Sequence, residues 1–148
     1  MRDESSQLVR LSTRDVAPAD RLSYASWILG SALAPSAVST ETPSEYELDV
    51  TALELPSIAI VAASGSQTRS IRGPSEIRRT SQRYFSLALV LRGSANFTSV
   101  TRNRFGPGDL IFYDSRHTQD CDFLPRWSTF VLQLSEQLVA GSLVGAGA

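Results

Sequence analysis

From Tyr46 onward the sequence alternates with a period of two and is cut at short intervals by glycine and proline. Tyr46, Leu48, Val50 and Ala52 interleave with Glu45, Glu47, Asp49 and Thr51, which puts apolar groups on one face of a half-buried strand and polar groups on the other. Further strands are expected over 58–63, 67–72 and 84–92, the last with Phe85, Leu87, Leu89 and Leu91 on one face. Gly93-Ser94 reads as the turn of a hairpin whose second arm is 95–101. Gly106-Pro107-Gly108-Asp109 is a tight corner feeding an apolar strand at 110–113, and Asp109 is placed to accept from the turn's own amides. Strands over 118–123 and 128–134, separated by Pro125, follow.

A helix is expected before the strands, over 18–33. Pro18 suits a first helical position, Asp20 complements the positive helix end, and Leu22, Ala25, Ile28, Leu29, Ala32 and Leu33 follow at helical spacing. Residues 35–44 hold two prolines and five Ser/Thr and read as a connecting loop. Residues 74–79 suit one helical turn. From Ser135 the spacing is helical again, with Ser135 as cap and Leu138, Val139, Leu143 and Val144 apolar. The fold class this spells is mainly β, a barrel or sandwich with an N-terminal and a C-terminal helix. Residues 1–17 read as a polar N-terminal lead and 18–148 as a single domain.

At 148 residues the chain suits one domain, and 42% hydrophobic residues suffice for a core. Fourteen Lys+Arg against 15 Asp+Glu leave a net charge of -1, without the basic excess with which a compact domain displaces counterions from nucleic acid. One cysteine and one histidine allow neither an intrachain disulfide nor an ordinary His/Cys zinc site. Two acids among the first four residues argue against a secretory signal, and the most apolar runs are of strand length, so a soluble, cytoplasmic protein without membrane contact is expected.

Few residues point to chemistry. His117 lies in the polar loop Asp114-Ser115-Arg116-His117-Thr118, and one histidine cannot supply the inner shell of a metal-dependent barrel enzyme. Cys121, on an alternating strand, reads as a small core residue, and Ser64-Gly65-Ser66 is no nucleophile elbow. Arg69, Arg72, Arg78, Arg79 and Arg83 put five positive charges within 15 residues, either a solvated face or a patch that reads an anion through planar guanidinium groups. The aromatic residues Tyr84, Phe97, Phe112 and Tyr113 are expected in the core, where they could also line a pocket.

The order of these elements resembles the N-terminal effector-binding domain of AraC-type transcription regulators. The resemblance is carried by Ile77-Arg78-Arg79-Thr80, the strand from Phe85 to Gly93, the corner from Gly106 to Ser115 and the strand Phe130 to Leu134, with an opening of Ser12-Thr13, Pro18, Arg21 and Trp27. It covers about residues 11–140. It implies a cupin-like barrel that binds a small-molecule effector and, in complete regulators, precedes a DNA-binding half with two helix-turn-helix motifs. The charge balance and the resemblance both place that DNA-reading half outside this sequence, so DNA is expected to be reached only through it.

On this resemblance the chain is expected to be a non-enzymatic sensor domain, with no metal or cofactor. Arg79 is the first candidate for contact with the effector and Asp114 the second, followed by Tyr84 and His117. An internal salt bridge from Arg79 to Asp109 or Asp114 ranks ahead of ligand contact. The C-terminal helix is the expected surface of a homodimer, docking on its own barrel being the alternative. A cupin-type metal-dependent enzyme and a ligand-free dimerisation module are the rival readings.

Overall fold

The structure, a computed structural model, describes residues 6–80, 82–99 and 101–146, without the side chains of 142–146, so Leu143 and Val144 lie outside the described side chains. The chain runs β1 (Gln7–Ser12), α1 (Arg21–Ala32), β2 (Ala37–Ser39), β3 (Leu48–Glu54), β4 (Ile58–Gly65), β5 (Thr68–Arg72), α2 (Pro74–Arg78), β6 (Tyr84–Thr98), β7 (Arg102–Phe105), β8 (Leu110–Asp114), β9 (Gln119–Ser135) and α3 (Glu136–Ala146).

Two long strands organise the rest. β6 and β9 pair antiparallel from Tyr84 opposite Ser135 to Thr98 opposite Asp120. The first part of β9 also pairs with β5 and the last part with β4, while β6 pairs with β8 near its start and with β7 near its end. One side of the barrel is therefore β1-β3-β4-β9-β6-β8 and the other is β2-β5-β9-β6-β7. The sheet curls over on itself, and the same two strands serve both sides.

The curl corrects the expected hairpin at Gly93. β6 runs straight through this point, with register shifts on both sides of Arg92. Gly93 has φ +70, and a Cβ there would stand 2.8 Å from Leu124 O and 2.9 Å from the Cα of Trp127. Only glycine lets the two long strands approach this closely while they turn from one side to the other. For the same reason the two short strands expected around Pro125 are one continuous β9. The real hairpin joins β6 to β7. The corner before β8 is as read, with Gly108 at φ +90 and the Gly106 amide donating to Asp109 Oδ2 at 2.8 Å.

Two segments read as irregular belong to the sheet. Residues 7–12, placed in the polar lead, pair with β3, and 37–39, placed in a loop, pair with the free edge of β5. Edge strands satisfy their backbone on one side only and need no apolar stripe, which is why period-two reasoning passes over them.

α1 begins as expected after a short helical turn at Pro18–Asp20, and it buries Ala25, Ile28, Leu29 and Ala32. These join Tyr46, Leu48 and Val50 in the core. Burying Ile28, Leu48 or Val50 contributes roughly 1.5–3 kcal/mol each. No helix among the described residues is long and apolar enough to cross a membrane.

The face shared by Phe85, Leu87, Leu89 and Leu91 is the outer one. Ser86, Ala88 and Val90 point into the barrel. Cross-strand pairing lines up Leu8, Leu53, Ile60, Leu132, Leu87 and Phe112 across the outer surface. Phe112, expected in the core, is 66% exposed, because the inward positions of β8 go to Ile111 and Tyr113.

Candidate functional site

Small inward residues leave space. Between the two sides of the barrel lies a cavity of about 100 Å³, walled by Ala63 of β4, Ser86 and Ala88 of β6, Ile111 of β8, and Thr129 and Val131 of β9. Phe97, Tyr113, Phe123 and Trp127 form an aromatic portion of its wall, with Phe97 and Tyr113 rings 5.8 Å apart and Phe123 and Trp127 rings 4.6 Å apart. Leu29, Leu33, Ala34 and Ser36 cover it from the end of α1. That cover is tied down by Gln133 Nε2, which donates to Leu33 O at 3.1 Å, and Trp127 is anchored through its Nε1 donating to Ser66 O at 2.6 Å.

Among the described residues, Arg72 is the one charged side chain on this wall. In β5 the alternation puts Thr68, Ser70 and Arg72 on the cavity side and Arg69 outside, where it pairs with Asp120 at 2.6 Å. Arg72 is 5% exposed. Its Nη1 donates to Pro35 O at 2.7 Å, its Nη2 to Thr80 Oγ1 at 3.2 Å and to Ser115 O, and its Nε is buried without a partner. Burial lowers its pKa from the ordinary arginine value. The other titratable groups on the wall are held neutral: burial pushes the Tyr113 hydroxyl up to about 12 and raises the Cys121 thiol as well.

None of the four residues singled out from sequence lines the cavity. Arg79 is exposed at the end of α2 and makes no side-chain hydrogen bond or ion pair among the described residues. The expected bridge from Arg79 to Asp109 or Asp114 is not made, because Arg83, at the entrance to β6, stands directly beside the end of β8 and takes Asp114 instead. Asp114, 7% exposed, also accepts from the Arg116 amide, and its carboxylate is held below the ordinary range chiefly by the hydrogen bond from Arg83. Tyr84 donates its hydroxyl to Gln82 Oε1 at 2.8 Å, and His117 is exposed. The five arginines of the basic run thus part company, one inward, two in ion pairs and two exposed.

Asp114 nonetheless sits one residue from the cavity. Ser115 receives Arg72 on its carbonyl and accepts the Tyr84 amide on its hydroxyl at 2.8 Å. Arg83 bridges Asp114 to Glu136, the first residue of α3, at 3.5 Å. A continuous polar path therefore leads from the buried guanidinium to the start of the C-terminal helix.

The wall does not fit a metal ion. It carries no histidine, aspartate or glutamate, and among the described residues no three His, Cys, Asp or Glu side chains cluster.

No protein-family model matches the chain, and no curated protein matches it. Solved structures do. The AraC-like transcriptional activator CuxR aligns with 94% of this chain at a TM-score of 0.73 and 16% identity, and the chain spans half of that protein's length. The cupin domain of Cnp3 from Schizosaccharomyces pombe aligns with 64% of this chain and 69% of its own at a TM-score of 0.49 and 13% identity. KdgF from Halomonas sp. aligns with 60% of this chain and 77% of its own at 0.46 and 14%. What the chain shares with the AraC-like activator is its fold: a mainly β, cupin-like barrel flanked by an N-terminal and a C-terminal helix.

Proposed function

We propose that this chain is the small-molecule-sensing domain of an AraC-type transcription regulator, cytoplasmic and non-enzymatic, reaching DNA only through a helix-turn-helix half that these residues do not include. The observation that carries this reading is the cavity. Where they face it, β6 and β9 turn Ser86, Ala88, Thr129 and Gln133 inward and Leu87, Leu89, Phe130 and Leu132 outward, so the inward side chains are too small to fill the space beside the aromatic wall.

Sensing requires that a ligand bind two arrangements of the protein with different affinity. The path from Arg72 through Ser115, Asp114 and Arg83 to Glu136 supplies a physical link between cavity and α3. In the proposed mechanism the ligand biases how α3 leaves the barrel, and α3, with Leu138 and Val139 as apolar positions, joins two copies.

A thermal-shift screen of sugars, amines and carboxylic acids tests the reading. At least one class is expected to raise the melting temperature, and Ala88→Leu, which fills the cavity, is expected to abolish the shift. Failure of every class to stabilise the protein would favour a ligand-free interaction module instead.

A further inference from the structure

We propose that the cavity takes a small monocarboxylate with an apolar body, its carboxylate bound by the Arg72 guanidinium. The inference rests on the sensing reading and names the ligand class for the same cavity.

Arg72 is a buried cation without a counter-ion. Its three acceptors, Pro35 O, Thr80 Oγ1 and Ser115 O, are all neutral, and it takes part in no ion pair among the described residues. Glu76, the acid whose charge acts on it, is already engaged by the Gly73 amide and the Ser75 hydroxyl. A guanidinium has five N–H groups. Three are used by these bonds, which leaves Nε–H, buried and unpartnered, and one Nη1–H. Neutral dipoles do not cancel a full charge, and a buried charge left unpaired is costly. An anion in the cavity, whose wall includes Arg72, offsets that charge.

The remaining wall sets the body of the ligand. Ala63, Ala88, Phe97, Val131 and Trp127 are apolar, and none of the groups around them carries charge. A second negative charge would enter without a partner, which excludes dianions and favours a single carboxylate. A cavity of about 100 Å³ is smaller than the dry engineered cavity of about 150 Å³ that admits benzene, so a single ring is the upper limit for the body.

The test is calorimetric titration of the whole chain with benzoate, with its neutral isostere benzamide and with benzylamine, at neutral pH and fixed salt. Benzoate is expected to bind at least tenfold more tightly than benzamide, and benzylamine not at all. Arg72→Lys keeps the charge but loses the planar fork and is expected to weaken benzoate at least fivefold. Ala88→Leu, and Ser86→Val as a second and smaller intrusion, are expected to block benzoate while far-ultraviolet circular dichroism stays that of the parent. Equal binding of benzoate and benzamide, blocked by Ala88→Leu, would overturn the carboxylate assignment and leave the sensing cavity standing. Benzoate binding that survives both cavity-filling variants would place the anion elsewhere and overturn it too. If none of the three probes binds and the wider screen is also silent, both readings fall together.

Discussion

Arg83 grips Asp114 with two nitrogens: Nε donates to Oδ1 at 3.1 Å and to Oδ2 at 3.0 Å, and Nη2 donates to Oδ2. The pair locks the start of β6 to the end of β8, and the guanidinium also lies 4.9 Å above the Phe85 ring. Because Arg83 holds the Asp114 carboxylate below its ordinary range, folding favours the ionised form. Its contribution is fully present above the unfolded value of about 3.9 and is lost as pH falls through the lower folded value. Asp114→Asn is expected to cost about 1 kcal/mol at pH 7. The difference in stability between parent and variant should shrink below about pH 4, as measured by urea unfolding at a series of pH values. A difference that stays constant down to pH 2 would contradict the pairing.

Glu136 meets Arg83 at 3.5 Å and Arg116 at 3.9 Å, all at partly exposed positions. Such pairs add little stability. Glu136→Gln should therefore leave the melting temperature roughly unchanged, yet it removes the negative charge at the last step of the polar path into α3. Hydrogen exchange is expected to show ligand-dependent protection at the amides of 136–141 in the parent and a weaker response in the variant. Identical ligand responses in both would mean that the cavity does not speak to α3 by this route.

Much of the architecture is legible in sequence because its physics is local. α1 follows from Pro18 and the spacing of Ala25, Ile28 and Leu29, and the corner before β8 follows from Gly106-Pro107-Gly108-Asp109. The site is less legible, for a physical reason. A barrel with a ligand cavity carries small and polar residues inside, so Ser70, Arg72, Ser86 and Gln133 read as solvent-facing by the same rule that correctly places Leu48 and Val50. Arg72 differs from its neighbours in the basic run only by strand parity with Thr68, which says which face it takes but not which face is inside.

Parity is directly testable. Val90 is 1% exposed on the inner side of β6, whereas Phe112 stands on the outer surface. Val90→Ala is expected to cost about 2 kcal/mol from lost burial and the space left behind. Phe112→Ser gives up the ring stack on Phe85 at 6.1 Å and should cost about 1 kcal/mol, less than Val90→Ala. The reverse ranking in denaturant midpoints would mean that the sheet faces the other way and that no cavity exists behind it.

The bend at Gly93 makes the sharpest single-residue demand. Alanine there must adopt φ near +70, and its Cβ would meet Leu124 O at 2.8 Å, the Trp127 Cα at 2.9 Å and Arg126 O at 3.1 Å, all of them backbone. A positive φ alone costs a non-glycine residue about 1–2 kcal/mol, and backbone cannot swing aside as a side chain can. Displacing β9 at Trp127 would also disturb the Trp127 and Phe123 wall of the cavity. Gly93→Ala is expected to lose more than about 2 kcal/mol and to weaken ligand binding together with stability. Gly106→Ala is the control, since nothing lies within 4 Å of a Cβ at that position. A Gly93→Ala protein that melts with the parent would mean that β6 and β9 do not cross here, and the Gly93-Ser94 hairpin read from sequence would return as the better description of this segment.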